Sequence, residues 1–230
     1  MCGIVGILGQ GPVADRLLDG LKRLEYRGYD SAGICTVHDG AFDRRRAPGK
    51  LVNLARILTD EPLPGDSGIA HTRWATHGAP TTDNAHPHIA GDVVVVHNGI
   101  IENFKSLRDE LLADGRIFLS QTDTEVVAHL IAREVERGAA PRDAVATVLP
   151  RLHGAFALGV MFRSEPDLLI GARLGAPLTV GYGPTENGGE NYLGSDALAL
   201  APLTQRIAYL DEGDWVVISR ASVEIFDRAN

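Results

Sequence analysis

The residue best suited to chemistry stands second in the chain. Cys2 opens the run Met1-Cys2-Gly3-Ile4-Val5-Gly6, and loss of one methionine leaves a thiol and an α-amine on the same residue. An α-amine has a pKa of about 7.7–8, against about 10.4 for lysine, so a useful fraction is free base at neutral pH. Thiolate, the reactive form of cysteine, is scarce at pH 7, and a base within reach of sulfur generates it. Cys2 is therefore a candidate nucleophile carrying its own proton acceptor. The plain alternative is a small apolar residue beside a start codon.

A second concentration of reactive groups is the stretch H-T-R-W-A-T-H-G-A-P-T-T-D-N-A-H-P-H at 71–88, which reads as a long functional loop. Arg73 offers two parallel donors to a carboxylate, or a surface salt bridge. Trp74 shields a site from water, or fills core. Five of the eight histidines fall between His71 and His97, which raises a metal site with His86-Pro87-His88 as its best local candidate. There is neither H-E-x-x-H nor C-x-x-C, and no recognised ligand spacing. Asn98-Gly99 ends an apolar run and reads as a tight turn. The same pair suits an oxyanion hole, since an Asn amide and the following N–H can donate to one oxygen. Asp123 favours the start of a helix through the helix dipole, or receives a ligand ammonium.

The elements that must position these groups are short β-branched runs: Gly3–Leu8, Ala32–Val37, Gly68–Thr72, Asp92–His97, Ala155–Phe162, Leu168–Ala172, Arg206–Leu210 and Trp215–Ser219. Helices are expected where Val13, Leu17, Leu21 and Leu24, and then Leu51, Leu54 and Leu58, recur at spacings of three and four. A third is expected to start at Thr122-Asp123-Thr124-Glu125, a capping-box signature. The last third is nearly all strand and turn. This order departs from strict strand–helix alternation and favours an α+β layered fold with mainly antiparallel sheets. The 230 residues, 44% hydrophobic and 23% charged, suit a globular chain, read as one domain with a terminal linker at 227–230. A net charge of −8 argues against nucleic acid as the main partner. No apolar run approaches the roughly 18 residues that cross a bilayer, so a cytoplasmic location is expected, with Cys2 and Cys35 both thiols. Arg44-Arg45-Arg46 reads as a solvated strand or turn.

Taken together, Met1-Cys2-Gly3-Ile4, L-E-Y-R-G-Y-D-S-A-G at 24–33, H-T-R-W-A-T-H-G at 71–78, H-N-G-I-I-E-N at 97–103, T-D-T-E at 122–125 and G-S-D-A-L-A-L at 194–200 resemble the class II glutamine amidotransferases. These are N-terminal nucleophile hydrolases. Within them the chain is most similar to the glutaminase domains of the isomerising glutamine:fructose-6-phosphate aminotransferase (glucosamine-6-phosphate synthase) family. The resemblance implies a four-layer αββα sandwich and no cofactor or metal. It makes Cys2 the nucleophile toward the glutamine amide, with its α-amine as base and with Asn98 and Gly99 holding the oxyanion. It assigns Arg73 to the α-carboxylate of glutamine, supported by Thr76 and His77, and Asp123 to the α-ammonium. Trp74 is expected to cover the site, Arg27 and Tyr29 to lie near the nucleophile, and His86 to belong to the binding set. Ala176, where the family pattern has serine, and an enlarged loop at Pro184–Glu190 are departures away from these positions.

The resemblance further implies that residues 1–230 are the glutaminase domain alone. Fructose-6-phosphate would then be served only through a separate isomerase domain, and the full-length protein would be a homodimer. Against this stand a metal-dependent hydrolase built on the histidines, a glutaminase serving a different ammonia acceptor, and a non-catalytic glutamine-binding module.

Overall fold

A computed structural model describes residues 2–227. Met1, whose removal would free the Cys2 amine, and 228–230, most of the expected linker, lie outside them. Two sheets carry the fold. The first comprises seven strands in the order β11-β9-β10-β1-β4-β2-β3: β1 (Gly3–Leu8), β2 (Ser31–His38), β3 (Ala41–Pro48), β4 (Ser67–Arg73), β9 (Thr179–Tyr182), β10 (Asn191–Gly194) and β11 (Arg206–Tyr209). The second has the order β13-β12-β8-β7-β6-β5, from β5 (His88–Ala90), β6 (Val93–Ile101), β7 (Gly154–Phe162), β8 (Leu169–Leu174), β12 (Trp215–Ile218) and β13 (Val223–Phe226). Every ladder between these strands is antiparallel.

Strand side chains alternate between faces, and this sorts the apolar residues into layers. Ile4 and Leu8 of β1 meet Val94 and Val96 of β6 between the sheets, with Met161 and Leu193. Val5 and Ile7 point the other way, onto α1 (Ala14–Arg23) and its leucines, 17, 18 and 21. Val93 and Val95 face α4 (Thr124–Glu136), which packs its Val127, Leu130 and Ile131 against the second sheet. Strands buried on both faces are largely apolar, which is why Gly3–Leu8 of β1 and the Val93–Val96 part of β6 appear as continuous apolar runs. Helix α2 (Leu51–Asp60) and the short α6 (Ala197–Leu200) complete the outer layer on the first sheet; α3 (Phe104–Ala113) and α5 (Pro141–Val148) complete the other. The result is the α+β, four-layer αββα arrangement that the resemblance implied.

Three local expectations need correction. Asn98-Gly99 is not a turn: β6 continues through it to Ile101, with Gly99 paired to Phe156. The conformation explains the glycine, because its φ is +122° and a Cβ there would stand 2.0 Å from the Ala155 carbonyl oxygen. The capping box is only half formed. Thr122 Oγ1 accepts the Glu125 N–H at 3.4 Å, but the Glu125 carboxylate accepts from the N–H groups of Leu119 and Ser120, both at 2.7 Å. It therefore pins the segment leading into α4. Finally, the Arg44–Arg46 run is the edge strand β3, yet it is not simply solvated. Arg44 donates to the Pro87 carbonyl at 3.0 Å and Arg46 to those of Asp83 and Ala85, so both hold the far half of the 71–88 stretch.

Candidate active site

Cys2 immediately precedes β1, which lies between β10 and β4 within the first sheet. The β1–β4 register sets Gly3 opposite Thr72 and so brings Cys2 beside the residues that follow β4. The Trp74 N–H donates to Cys2 Sγ at 3.1 Å, and the Trp74 carbonyl oxygen lies 3.6 Å from the sulfur. Burial pushes the Cys2 thiol pKa up and outweighs the Trp74 N–H, which favours the thiolate. The thiol is therefore protonated at neutral pH and needs a base. Cys35, the other free cysteine, is sealed between the sheets, where burial raises its pKa to about 12.

Cys2, Arg73, Trp74, Thr76, Gly99 and Asp123 line one small cleft, backed by His86, His97, Thr122 and Thr124. Arg73, at the end of β4, is buried, and its guanidinium gathers the loop that follows it. It donates to the carbonyls of His77, Gly78 (3.0 Å) and Ala79 (3.3 Å), with Asp30 at 4.0 Å. Asp30 also accepts the Ala75 N–H. Trp74 is 54% exposed, so it is not core. Its ring covers Gly28, where φ is +73° and a Cβ would meet the indole at 2.8 Å. His77 sits outside the cleft lining: its Nδ1 is 3.3 Å from Thr76 Oγ1 and 3.9 Å from Asp123 Oδ1, and its ring meets Phe104 edge-on. Asp123 is buried at the N-terminus of α4 but makes no side-chain cap; its Oδ2 accepts the Ile101 N–H at 2.9 Å, tying the helix to the end of β6.

Arg27 lies in a 3-10 turn at Glu25–Arg27 and reaches the Cys2 carbonyl at 3.4 Å, the Ser195 carbonyl at 3.3 Å and Asp196 at 2.7 Å. Tyr29 lies away from the cleft: its hydroxyl donates to Glu25 and accepts the Leu51 N–H at 2.9 Å, anchoring that turn to α2. Ser195 and Asp196 were part of a quoted motif without a role of their own. They brace the nucleophile's backbone, Ser195 Oγ accepting the Ile4 N–H at 3.0 Å. Asp30 was likewise visible only inside a motif.

Three of the histidines, His71, His86 and His88, form a buried stack. His71 and His86 have ring centroids 4.1 Å apart, and His86 and His88 4.7 Å. Threonine hydroxyls partner them, Thr124 at 2.7 Å from His86 and 2.9 Å from His97, and Thr122 at 3.1 Å from His88. Burial lowers all four pKa values, those of His71 and His88 to about 3, so the rings are neutral. Among the described residues no three His, Cys, Asp or Glu side chains converge as a metal set. A larger cavity of about 360 Å³, between α5, β7, β8 and β12, contains none of the candidate residues, whereas the Cys2 cleft encloses only about 10 Å³. Chemistry, not size, singles out the latter.

A family profile described as "Glutamine amidotransferase domain" matches residues 71–201, more than half of the chain. Glutamine–fructose-6-phosphate aminotransferase [isomerizing] from Zymomonas mobilis is 68% identical over 227 residues, and that from Mesorhizobium japonicum 61%. In both cases the match covers 99% of this chain and 37% of the relative, so the chain spans little more than a third of their length. Among solved structures, glutamine phosphoribosylpyrophosphate amidotransferase from B. subtilis superposes with a TM-score of 0.81 at 26% identity, covering 99% of this chain and 49% of that one. A structure described as the allosteric regulatory enzyme of purine biosynthesis gives 0.83 at 25% identity, with the same coverage. On the family match, the fold and the near-complete alignment with these enzymes, the chain belongs to the glutamine amidotransferase domain family.

Proposed function

We propose that this chain is a glutaminase domain in which Cys2 hydrolyses the side-chain amide of glutamine to glutamate and ammonia. With Met1 removed, the α-amine takes the thiol proton as sulfur attacks the amide carbon. The oxyanion accepts from the Asn98 side chain and the Gly99 N–H. Collapse breaks the C–N bond, and the amine returns its proton to the departing ammonia. Water, deprotonated by the same amine, attacks the resulting thioester, releasing glutamate and restoring the thiol. Arg73 pairs with the α-carboxylate, supported by Thr76 and His77. Asp123 pairs with the α-ammonium, and Trp74 covers the cleft. Two opposite charges at fixed separation select an amino acid of one length. The cleft as it stands has room for about one water, so it must widen to admit substrate.

The observation that carries this reading is the convergence of Cys2, Arg73, Gly99 and Asp123 on one cleft. The names of the relatives point the ammonia toward fructose 6-phosphate, with the acceptor chemistry in the part of those proteins that this chain does not span. The expected result is glutamate release from glutamine, indifferent to chelators and lost in Cys2→Ala. Turnover surviving that substitution, or abolished by chelation, would sink the reading.

A further inference from the structure

The Asn98 side chain is held from behind by a histidine on the opposite sheet. His71 Nε2, on β4, lies 2.9 Å from the backbone carbonyl oxygen of His97 and 3.0 Å from Asn98 Oδ1, both on β6. A backbone carbonyl only accepts, so Nε2 must carry a proton. The ring is fully buried and neutral, its pKa pushed down to about 3 by burial, so that proton is its single N–H. One donor is thus shared between two acceptors. The tautomer of His71 then decides the orientation of Asn98, because the amide oxygen must face Nε2 and the amide nitrogen must face away. Among the described residues that nitrogen donates to nothing. The remaining His71 nitrogen, Nδ1, is buried without a hydrogen-bond partner, and the ring is fixed by its stack on His86.

We infer that His71 is a positioning residue: its Nε2–H holds the Asn98 amide so that nitrogen, not oxygen, is presented to the oxyanion formed at Cys2. The inference rests on Asn98 being an oxyanion donor, as proposed above. An amide turned by 180° would present an acceptor to a negative oxygen and convert stabilisation into repulsion. His71 also grips the His97 carbonyl one residue earlier, so the side chain and the strand that carries it are set by one donor.

The test is a double-mutant cycle on the chain with Met1 removal verified by mass. Asn98→Ala is expected to lower kcat by about 10²–10³. His71→Phe should lower kcat by about 10–100-fold with KM changed by less than about 3-fold, and His71→Gln, which restores an N–H donor, should stay within about 5-fold of the parent. In the Asn98→Ala background, His71→Phe should cost less than about 2-fold further, because the group it positions is gone. Independent of activity, ¹⁵N NMR of the imidazoles should show His71 as the Nε2–H tautomer, unchanged between pH 5 and 8. Effects that multiply in the double variant, a Gln variant as impaired as Phe, or an Nδ1–H tautomer would each overturn the inference. If Asn98→Ala itself leaves kcat intact, the inference fails with it, but the failure then lies in the oxyanion assignment, which only that arm reads.

Discussion

Cys2 combines a buried, protonated thiol with a neighbour that favours the anion, and the balance falls to the protonated side. Activity therefore depends on a base outside the sulfur, and the only basic group built into the same residue is the α-amine. Its ordinary pKa of about 7.7–8 sets the expected acid limb: kcat/KM for glutamine rises with pH as the amine loses its proton, is half-maximal near that pKa and levels off above about 9. A chain with Met1 retained carries an amide nitrogen there, and should show near-background turnover without that limb. Rates measured on preparations of known N-terminal mass check this; full turnover with Met1 in place would contradict it. At this scale Cys2, Arg73, Gly99 and Asp123, which line one cleft, were singled out by type and motif. Arg27's grip on the Cys2 carbonyl, and Tyr29's placement against α2, were not, because each depends on which way a side chain leaves a turn.

The strand β6 shows what element-level reading misses. Asn-Gly is a turn signal when only local conformational freedom is weighed, yet here the positive φ of Gly99 sits within a strand, and the absence of a Cβ lets the β7 backbone pack directly against it. Gly99→Ala should force β6 and β7 apart: the strained φ costs of order 1–3 kcal/mol before the clash is counted, and thermal unfolding should shift down by several degrees along with loss of glutaminase activity. An unchanged melting temperature would show that the Ala155 carbonyl yields easily. Glu125 is the second case. Burial raises its carboxyl pKa, but His129 at 3.8 Å and the N–H groups of Leu119 and Ser120 outweigh burial and hold it at about 2. A capping-box pattern located the helix start to within two residues, yet the carboxylate's hydrogen-bond donors, Leu119 and Ser120, lie in the preceding loop. Glu125→Gln should cost about 1.5–3 kcal/mol, as for a hydrogen bond to a charged group, read by denaturant unfolding; a change under about 0.5 kcal/mol would mean that loop holds itself.

Across the whole molecule, the four neutral histidines beneath the cleft make the fold acid-sensitive. His71 and His88 titrate near 3 when folded, against 6.5 for an ordinary histidine, so between those values the unfolded chain binds more protons. Stability is then full above about pH 6.5 and falls as the pH drops. The loss from Glu125 begins only below about 4.5, so the window from 6.5 to 4.5 belongs to the histidines. Calorimetry should show the unfolding midpoint falling across that window, and a flat midpoint would contradict it. The apolar runs by themselves determined that the protein is a layered α+β molecule, since strands buried on both faces are largely apolar, and motif chemistry by itself nominated a thiol, a carboxylate clamp and an oxyanion pair. Only the tertiary structure decided that these meet. Cys2 and Arg73 come together through the β1–β4 register, Gly99 arrives from the other sheet, and Asp123 from the start of α4. It also decided that the histidines beneath the cleft are buried, and stacked or partnered by threonine hydroxyls, because burial and partner geometry are properties of the packed layers, and no local pattern of residues contains them.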